Sequence, residues 1–285
     1  MNIVLVHGIL GFREKFGIEY FAGVAEHLRE LPAKVYAAEV SPTGSVETRG
    51  EGLRSQILAA LANGTLDSAE KIHIIAHSMG GVDSRYLLSP ANEATTPAND
   101  VSPRVASLTT ISSPHRGSPI ADLVELKFGE EPAASGVLVE VVKALKKGVG
   151  EAMGHLGLSL DAVRDLTTTA MQDFNQRYLD NPGVRYFSVA GAGRQGTRAT
   201  ALALVLLYRY IQTRTGESND GIVTVSSARW GAFDPNTWPC DHLEEAGHDL
   251  DHPFEPTRFN YLERYDQIVR TILALGAGGA FAARG

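Results

Sequence analysis

Ser78 stands in Ala76-His77-Ser78-Met79-Gly80, between a β-branched run and a stretch with helical spacing. Ile72, Ile74 and Ile75 read as a buried strand, and Val82, Tyr86 and Leu87 fall on one side of a helix. A strand, a sharp turn of small residues tipped by a serine, and a helix make an elbow that lifts the hydroxyl clear of a sheet. Ala76 and Gly80, two before and two after the serine, let strand and helix approach closely. The chemistry open to such a serine is nucleophilic attack. Its hydroxyl is weak at neutral pH and needs a base within hydrogen-bond reach, and a third group to orient that base. The pentapeptide alone also fits an ordinary strand-to-helix turn, so the remainder of the chain decides.

Behind such an elbow the partners follow along the chain, acid first and base second. Asp220, in Ser218-Asn219-Asp220-Gly221 just before Ile222-Val223-Thr224-Val225, is the candidate acid. Asn-Asp-Gly is equally good turn composition. Three later histidines qualify as the base: His242, His248 and His252. His7, His73, His77 and His115 precede the acid and are poor candidates. His7 and His115 are expected to hydrogen-bond loops around the site, and His73 to lie on a sheet face. A tetrahedral intermediate also needs two backbone N–H donors aimed at its oxygen. Met79, directly after the serine at a helix N-terminus, supplies one. Ile9, in the His7-Gly8-Ile9 turn after the first strand, supplies the other, and only its N–H is used.

The elements that must hold these residues alternate along the chain. Strands are expected at Asn2 to His7, Lys34 to Val40, Lys71 to Ala76, Val105 to Ile111, Val184 to Ala190 and finally Ile222 to Ser226. Helices are expected at Ile18 to Leu31 and Val46 to Ala62. Alternation of this kind implies crossover connections and an α/β fold with a mostly parallel central sheet flanked by helices. In such a sheet the site lies at the carboxyl ends of the strands. Residues 118–182 break the alternation. An apolar stripe of Val137, Leu138, Val141, Val142, Leu145 and Val149 runs there at helical spacing, with glycines at 148, 150, 154 and 157. The segment is expected to be a helical lid or cap inserted into one domain spanning 1–285. An ordinary crossover helix is the alternative.

Bulk properties exclude several classes. Net charge is −7, from 26 basic and 33 acidic residues, with no basic cluster, so nucleic acid is not an expected partner. A hydrophobic content of 44% is ordinary for a globular protein. Cys240 is the one cysteine and cannot form an internal disulfide, which fits a reducing compartment. Met1-Asn2 runs directly into Ile3-Val4-Leu5-Val6, without a charged n-region or cleavage site. The cytoplasm is the default expectation, with leaderless export or a removed leader as alternatives. The longest apolar run, Ala199 to Leu207, is too short for the roughly 20 residues of a membrane span.

Taken together, several segments resemble one group of enzymes. Val6-His7-Gly8-Ile9-Leu10-Gly11-Phe12 is similar to the oxyanion loop of the Pseudomonas, Burkholderia and Proteus group of bacterial true lipases. Val35 to Ser41, Arg49 to Leu53, Ser78 to Gly81, Ser113 to Ser118, Asn219 to Val223 and Asp241 to Glu245 resemble that group in content, order and spacing. The Ala-x-Ser-x-Gly form of the elbow also occurs in several bacterial lipases. The likeness is thin from Leu126 to Leu166 and after Arg194. It implies an α/β-hydrolase fold, hydrolysis of carboxylic esters and a mobile lid. Carried over by position, it implies Ser78 as nucleophile, Asp220 as orienting acid and His242 as base, chosen over His248 and His252. Ile9 and Met79 become the oxyanion donors.

The resemblance also has departures. Secreted members often carry a disulfide, and this chain has one cysteine. Many members bind calcium through one carboxylate before the catalytic acid and another just after the catalytic histidine. Glu244 matches the second place, but no acidic residue lies between Arg198 and Thr215, where the first belongs. Asp249 and Asp251 could complete a different calcium site. The expectation is an enzyme that needs no cofactor and does not depend on calcium. Its substrate would be an acylglycerol or another ester, with lipid-surface contact through the lid. A short-chain esterase, a phospholipase and an acyltransferase share the same triad, and a non-catalytic binding protein of the same fold is a rival of another class. Oligomeric state is not indicated.

Overall fold

The computed structural model describes residues 1–9, 19–125, 161–193, 200–249, 251 and 258–276. Six strands form one sheet in the order β2-β1-β3-β4-β5-β6, and every neighbouring pair is parallel. They are β1 (Asn2–Val6), β2 (Lys34–Ala38), β3 (Ile72–His77), β4 (Val105–Ile111), β5 (Arg185–Val189) and β6 (Ala232–Phe233). Successive strand side chains point to opposite faces, and both faces of this sheet are covered. Val4, Val6, Ile74 and Leu108 meet Leu53 and Ile57 of helix α2 (Val46–Ala62) and Leu87 of α3 (Met79–Leu88). Ile3, Leu5, Ile75 and Ile111 instead meet α1 (Val24–Arg29) and the C-terminal helix Tyr261–Gly276. A strand buried on both faces carries apolar residues on both, which is why Ile3 to Val6 of β1 and Ile74 to Ala76 of β3 read as apolar runs.

Helix α2 occupies the expected span, with the Ser45 hydroxyl capping it by accepting the Thr48 N–H. The helix expected from Ile18 begins, among the described residues, only at Val24, after Gly23 in the left-handed region at φ 66°. The helix after the elbow starts at Met79 rather than Val82.

The strand expected over 222–226 does not form. Residues 221–224 are an irregular turn, Val225–Ala228 is a short helix capped by Thr224, and the last strand is β6. The reason is the Asp220 carboxylate, whose Oδ1 accepts the N–H groups of Ile222 at 2.9 Å and Val223 at 2.7 Å. A β-branched run whose amides are already taken by a side chain cannot join a ladder.

Of the segment expected to form a lid, 118–125 and 161–182 are described. They hold helices Pro119–Glu125, Asp161–Asp165 and Thr168–Arg177. Ala121, Ala162, Leu166 and Met171 pack against Met79 and Val82 of α3, so both ends of the segment belong to the core. The Val137–Val149 stripe lies outside the described residues. Among those described, no helix is long and apolar enough to cross a membrane.

Candidate active site

Strand β3 ends at His77, and Ser78 follows at φ 55°, ψ −132°, before α3 begins at Met79. A left-handed φ at a non-glycine residue is strained. It is held by packing. The Ser78 N–H donates to Ile111 O at 2.9 Å. A Cβ at Gly80 would collide with the Val6 carbonyl, and a Cβ at Gly81 with the Ser113 hydroxyl. The small residues therefore let α3 lie on the ends of β1 and β4.

The structure brings three of the sequence candidates into line. Ser78 Oγ lies 2.9 Å from His242 Nε2, and His242 Nδ1 lies 2.7 Å from Asp220 Oδ2. Asp220 is fully buried and its two oxygens divide the work, Oδ1 taking backbone amides and Oδ2 the imidazole. The His242 N–H also donates to Asp220 O at 3.0 Å, so the acid loop carries the base loop. Of the other two candidate bases, one is placed away from Ser78 and one is not described. His248 Nε2 lies 2.7 Å from Tyr20 O, and His252 is outside the described residues.

Ile9 and Met79 flank the serine. Gly8 lies so close to it that a Cβ there would sit 2.7 Å from Ser78 Cβ. Among the described residues, no acceptor takes the N–H of Ile9 or of Met79. Ile9, Ser78, Ile120, Leu166, Leu204 and His242 face one cavity of about 240 Å³ with largely apolar walls. An apolar cleft beside a hydroxyl in reach of an imidazole, with the N–H groups of Ile9 and Met79 next to it, suits acyl transfer from an ester with a hydrocarbon chain.

The base loop is held by carboxylates. Asp241 Oδ1 accepts the N–H groups of Leu243 and Glu244, and its Oδ2 accepts that of Ala201 at 2.8 Å. Glu244 is buried, and its Oε2 accepts the Asp241 N–H at 3.2 Å. Glu244 thus closes a reciprocal cap rather than facing water. Burial raises the Asp241 carboxyl above its ordinary value.

A second buried network lies behind the triad, and sequence reasoning missed it. His77 Nε2 is 2.9 Å from Glu245 Oε2, and His77 Nδ1 is 2.7 Å from the Tyr20 hydroxyl. The Ser112 hydroxyl donates to Glu245 Oε1 at 2.6 Å. Burial drives Glu245 well up and His77 well down. Glu245 Oε2 lies 3.9 Å from His242 Nδ1, making it a second carboxyl group beside the base. The only signal in the sequence was its position three residues after His242, which the 3-10 turn Glu244–Ala246 converts into proximity. His77, His242 and Glu245 are also the described residues whose ligand atoms cluster within 4.8 Å. Each already has a hydrogen-bond partner, so a cation there would compete with the triad. His7 bonds to a loop as expected, with Nδ1 2.8 Å from Gly8 O; the His115 ring instead meets the Thr110 hydroxyl of β4, with Nε2 at 3.0 Å. His73, in β3, meets Ser107 Oγ.

Residues 2–131 match the family described as "Putative serine esterase (DUF676)". The chain is 32% identical over 263 residues to a triacylglycerol lipase of Vibrio cholerae, covering 85% of this chain and 78% of the relative. It is 27% identical to a triacylglycerol lipase of Pseudomonas fragi, covering 86% and 87%. Its fold is similar to that of the mature Bacillus licheniformis lipase BlEst2, with TM-score 0.61, 24% identity and coverage of 85% and 84%. The metagenomic carboxyl esterase MGS0156 matches with TM-score 0.67 and 16% identity, covering 96% and 75%. These two likenesses identify the α/β-hydrolase architecture.

Proposed function

The chain belongs to the triacylglycerol lipase family, and from that premise we propose that it hydrolyses acylglycerol esters through an acyl-enzyme on Ser78. The observation that carries this reading is the unbroken relay from Asp220 through His242 to Ser78 at the mouth of an apolar cavity. His242 Nε2 accepts the Ser78 proton as Oγ attacks the ester carbonyl. The N–H groups of Ile9 and Met79 receive the developing oxyanion. The imidazolium then protonates the leaving alcohol, and the neutral ring afterwards activates water to release the fatty acid. Asp220 stays ionised and holds the ring with its proton on Nδ1.

Within the family we place the chain with the Pseudomonas, Burkholderia and Proteus type, on the motifs quoted above. We read 1–285 as one domain with a lid carried within 118–182, between the core-packed ends of that segment, and the enzyme as needing no cofactor and no calcium. The reciprocal cap of Asp241 and Glu244 supports the last point, because it steadies the base loop with protein groups alone. Stoichiometric labelling of Ser78 by an organophosphonate tests the nucleophile. A rate profile over p-nitrophenyl esters and emulsified triglyceride tests the substrate class. Turnover confined to dissolved short esters would make the protein an esterase. Loss of activity on exhaustive chelation, restored by added calcium, would overturn the metal-free reading. Val141→Asp is expected to impair emulsion hydrolysis more than that of dissolved esters; equal losses would remove the lid.

A further inference from the structure

Arg49, on the first turns of α2, is fully buried and lies far in sequence from every member of the relay. A buried guanidinium is costly unless its donors are met. Here they are met by three separate segments. Nε donates to Asp83 Oδ2 at 2.8 Å, and Asp83 belongs to the helix that starts after Ser78. Nη2 donates to His7 O at 2.7 Å and to Gly8 O at 3.2 Å, both in the turn that ends β1. Nη1 donates to Ser41 O.

The Gly8 oxygen has a second donor. His7 Nδ1 lies 2.8 Å from it, while His7 Nε2 faces the Val40 N–H at 3.2 Å. A backbone N–H can only donate, so Nε2 accepts and the proton sits on Nδ1. Burial, and then the Arg49 charge, push the His7 imidazole down to about 4, which keeps this neutral tautomer at neutral pH. The Gly8 carbonyl is therefore gripped from two directions.

A trans peptide is planar, with its C=O and N–H on opposite edges. Fixing the Gly8 oxygen fixes the Ile9 N–H, which shares that plane, pointing the other way. Gly8 itself abuts the nucleophile, since a Cβ there would lie 3.1 Å from Ser78 Oγ. We propose that Arg49, assisted by His7, is a positioning residue that orients the Gly8–Ile9 peptide for the oxyanion and locks this turn, through Asp83, to the helix bearing Met79. Without the grip the peptide is free to turn its oxygen toward the site, where it would repel the developing charge. This role rests on the ester-hydrolase reading above.

The test uses Arg49→Met and Arg49→Lys in the full chain, with folding followed by circular dichroism and active sites counted by organophosphonate. Lysine keeps the charge but cannot reach three segments at once. The readouts are kcat and KM on p-nitrophenyl butyrate, and inhibition by a trifluoromethyl ketone, whose serine adduct is an oxyanion, and by the matching alcohol. Per active site, Arg49→Met should lose about 100-fold in kcat, as expected for a lost oxyanion donor, with KM nearly unchanged. Affinity for the ketone should fall in parallel and affinity for the alcohol should hold. A folded variant with lowered melting temperature but wild-type kcat and ketone affinity per active site would overturn the proposal. If Arg49→Met does not fold, Asp83→Leu serves. It removes the acceptor of the Arg49 Nε–H at similar volume and should show the same pattern with a smaller loss, about tenfold; unchanged kcat and ketone affinity there would likewise overturn it. Failure of wild-type Ser78 to label would instead sink the parent reading.

Discussion

Ser78 and His242 meet at 2.9 Å, yet the chain delivers them by different means. On the nucleophile side the backbone does the placing. A strand and a helix share one strained residue, and glycines at 80 and 81 allow contact with neighbouring strand ends. The buried imidazoles near it, His7, His77 and His115, are each held below their ordinary value first of all by burial. On the base side, loops at 219–224 and 240–247 have no ladder to lean on. Asp220, Asp241 and Glu244 hold them by accepting backbone N–H groups, and burial raises Asp241 and Glu245. Topology fixes one partner, and a few carboxylates fix the other. The placing of Ser78 itself resists single side-chain changes except where space is lacking; that of His242 depends on individual side chains.

The largest test of that contrast removes the reacting groups. Ser78→Ala and His242→Ala should each cost at least about 10⁴-fold in kcat, and the double variant little more, because they act as a unit. Asp220→Ala should be milder, since Glu245 already stands 3.9 Å from the His242 ring. Steady-state rates on one soluble ester check all three, and additive losses would deny the relay.

Next comes space on the nucleophile side. Gly80→Ala places a methyl group against the Val6 carbonyl and should cost about 3 kcal/mol of stability, read from denaturant midpoints, as overpacking does. On the base side Asp241→Ala removes the acceptor for three backbone N–H groups and should cost about 2 kcal/mol. It should lower kcat beyond what that stability change explains, because His242 is the next residue. Equal damage to rate and stability in both variants would erase the distinction.

The smallest effect is the most discriminating. An unfolded histidine titrates near 6.5 and His7 in the fold near 4, so between those values the unfolded chain takes up a proton that the native state refuses. Wild type therefore loses stability through His7 as the pH falls below 6.5, and a His7→Asn variant does not. The stability deficit of His7→Asn should shrink by about 1 kcal/mol between pH 7 and 5.5. For Asp241 the sign reverses. Its folded carboxyl keeps a proton that the unfolded chain has released, so the deficit of Asp241→Asn should grow as the pH falls. Denaturation over a pH series from 7 down toward the ordinary carboxylate range measures the two slopes, and slopes of the same sign would contradict the division.

The contrast also explains what was legible in the sequence. Val46–Ala62 and Val105–Ile111 read correctly because long periodic patterns report their own burial. The elbow read correctly because small residues at fixed offsets have a steric reason to be there. Ile222–Ser226 misled because four β-branched residues in a row look alike whether their amides join a ladder or a carboxylate. That His242 lies beside Ser78 was legible only through the family resemblance, since loop conformation here depends on caps closed by Asp241 and Glu244. Glu245 and His77 were invisible as a pair because 168 residues separate them.

The divided carboxylate of Asp220 has one more effect. With Oδ1 committed to two amide hydrogens, the group has a handedness that its chemical symmetry hides. An asparagine at this position would have to keep its oxygen where those hydrogens are and turn its NH₂ toward His242. The ring would then accept at Nδ1 and carry its hydrogen on Nε2, facing Ser78 with a donor where an acceptor is required. The closest isostere would thus act as a poison for the imidazole, and Asp220→Asn should be a worse enzyme than Asp220→Ala.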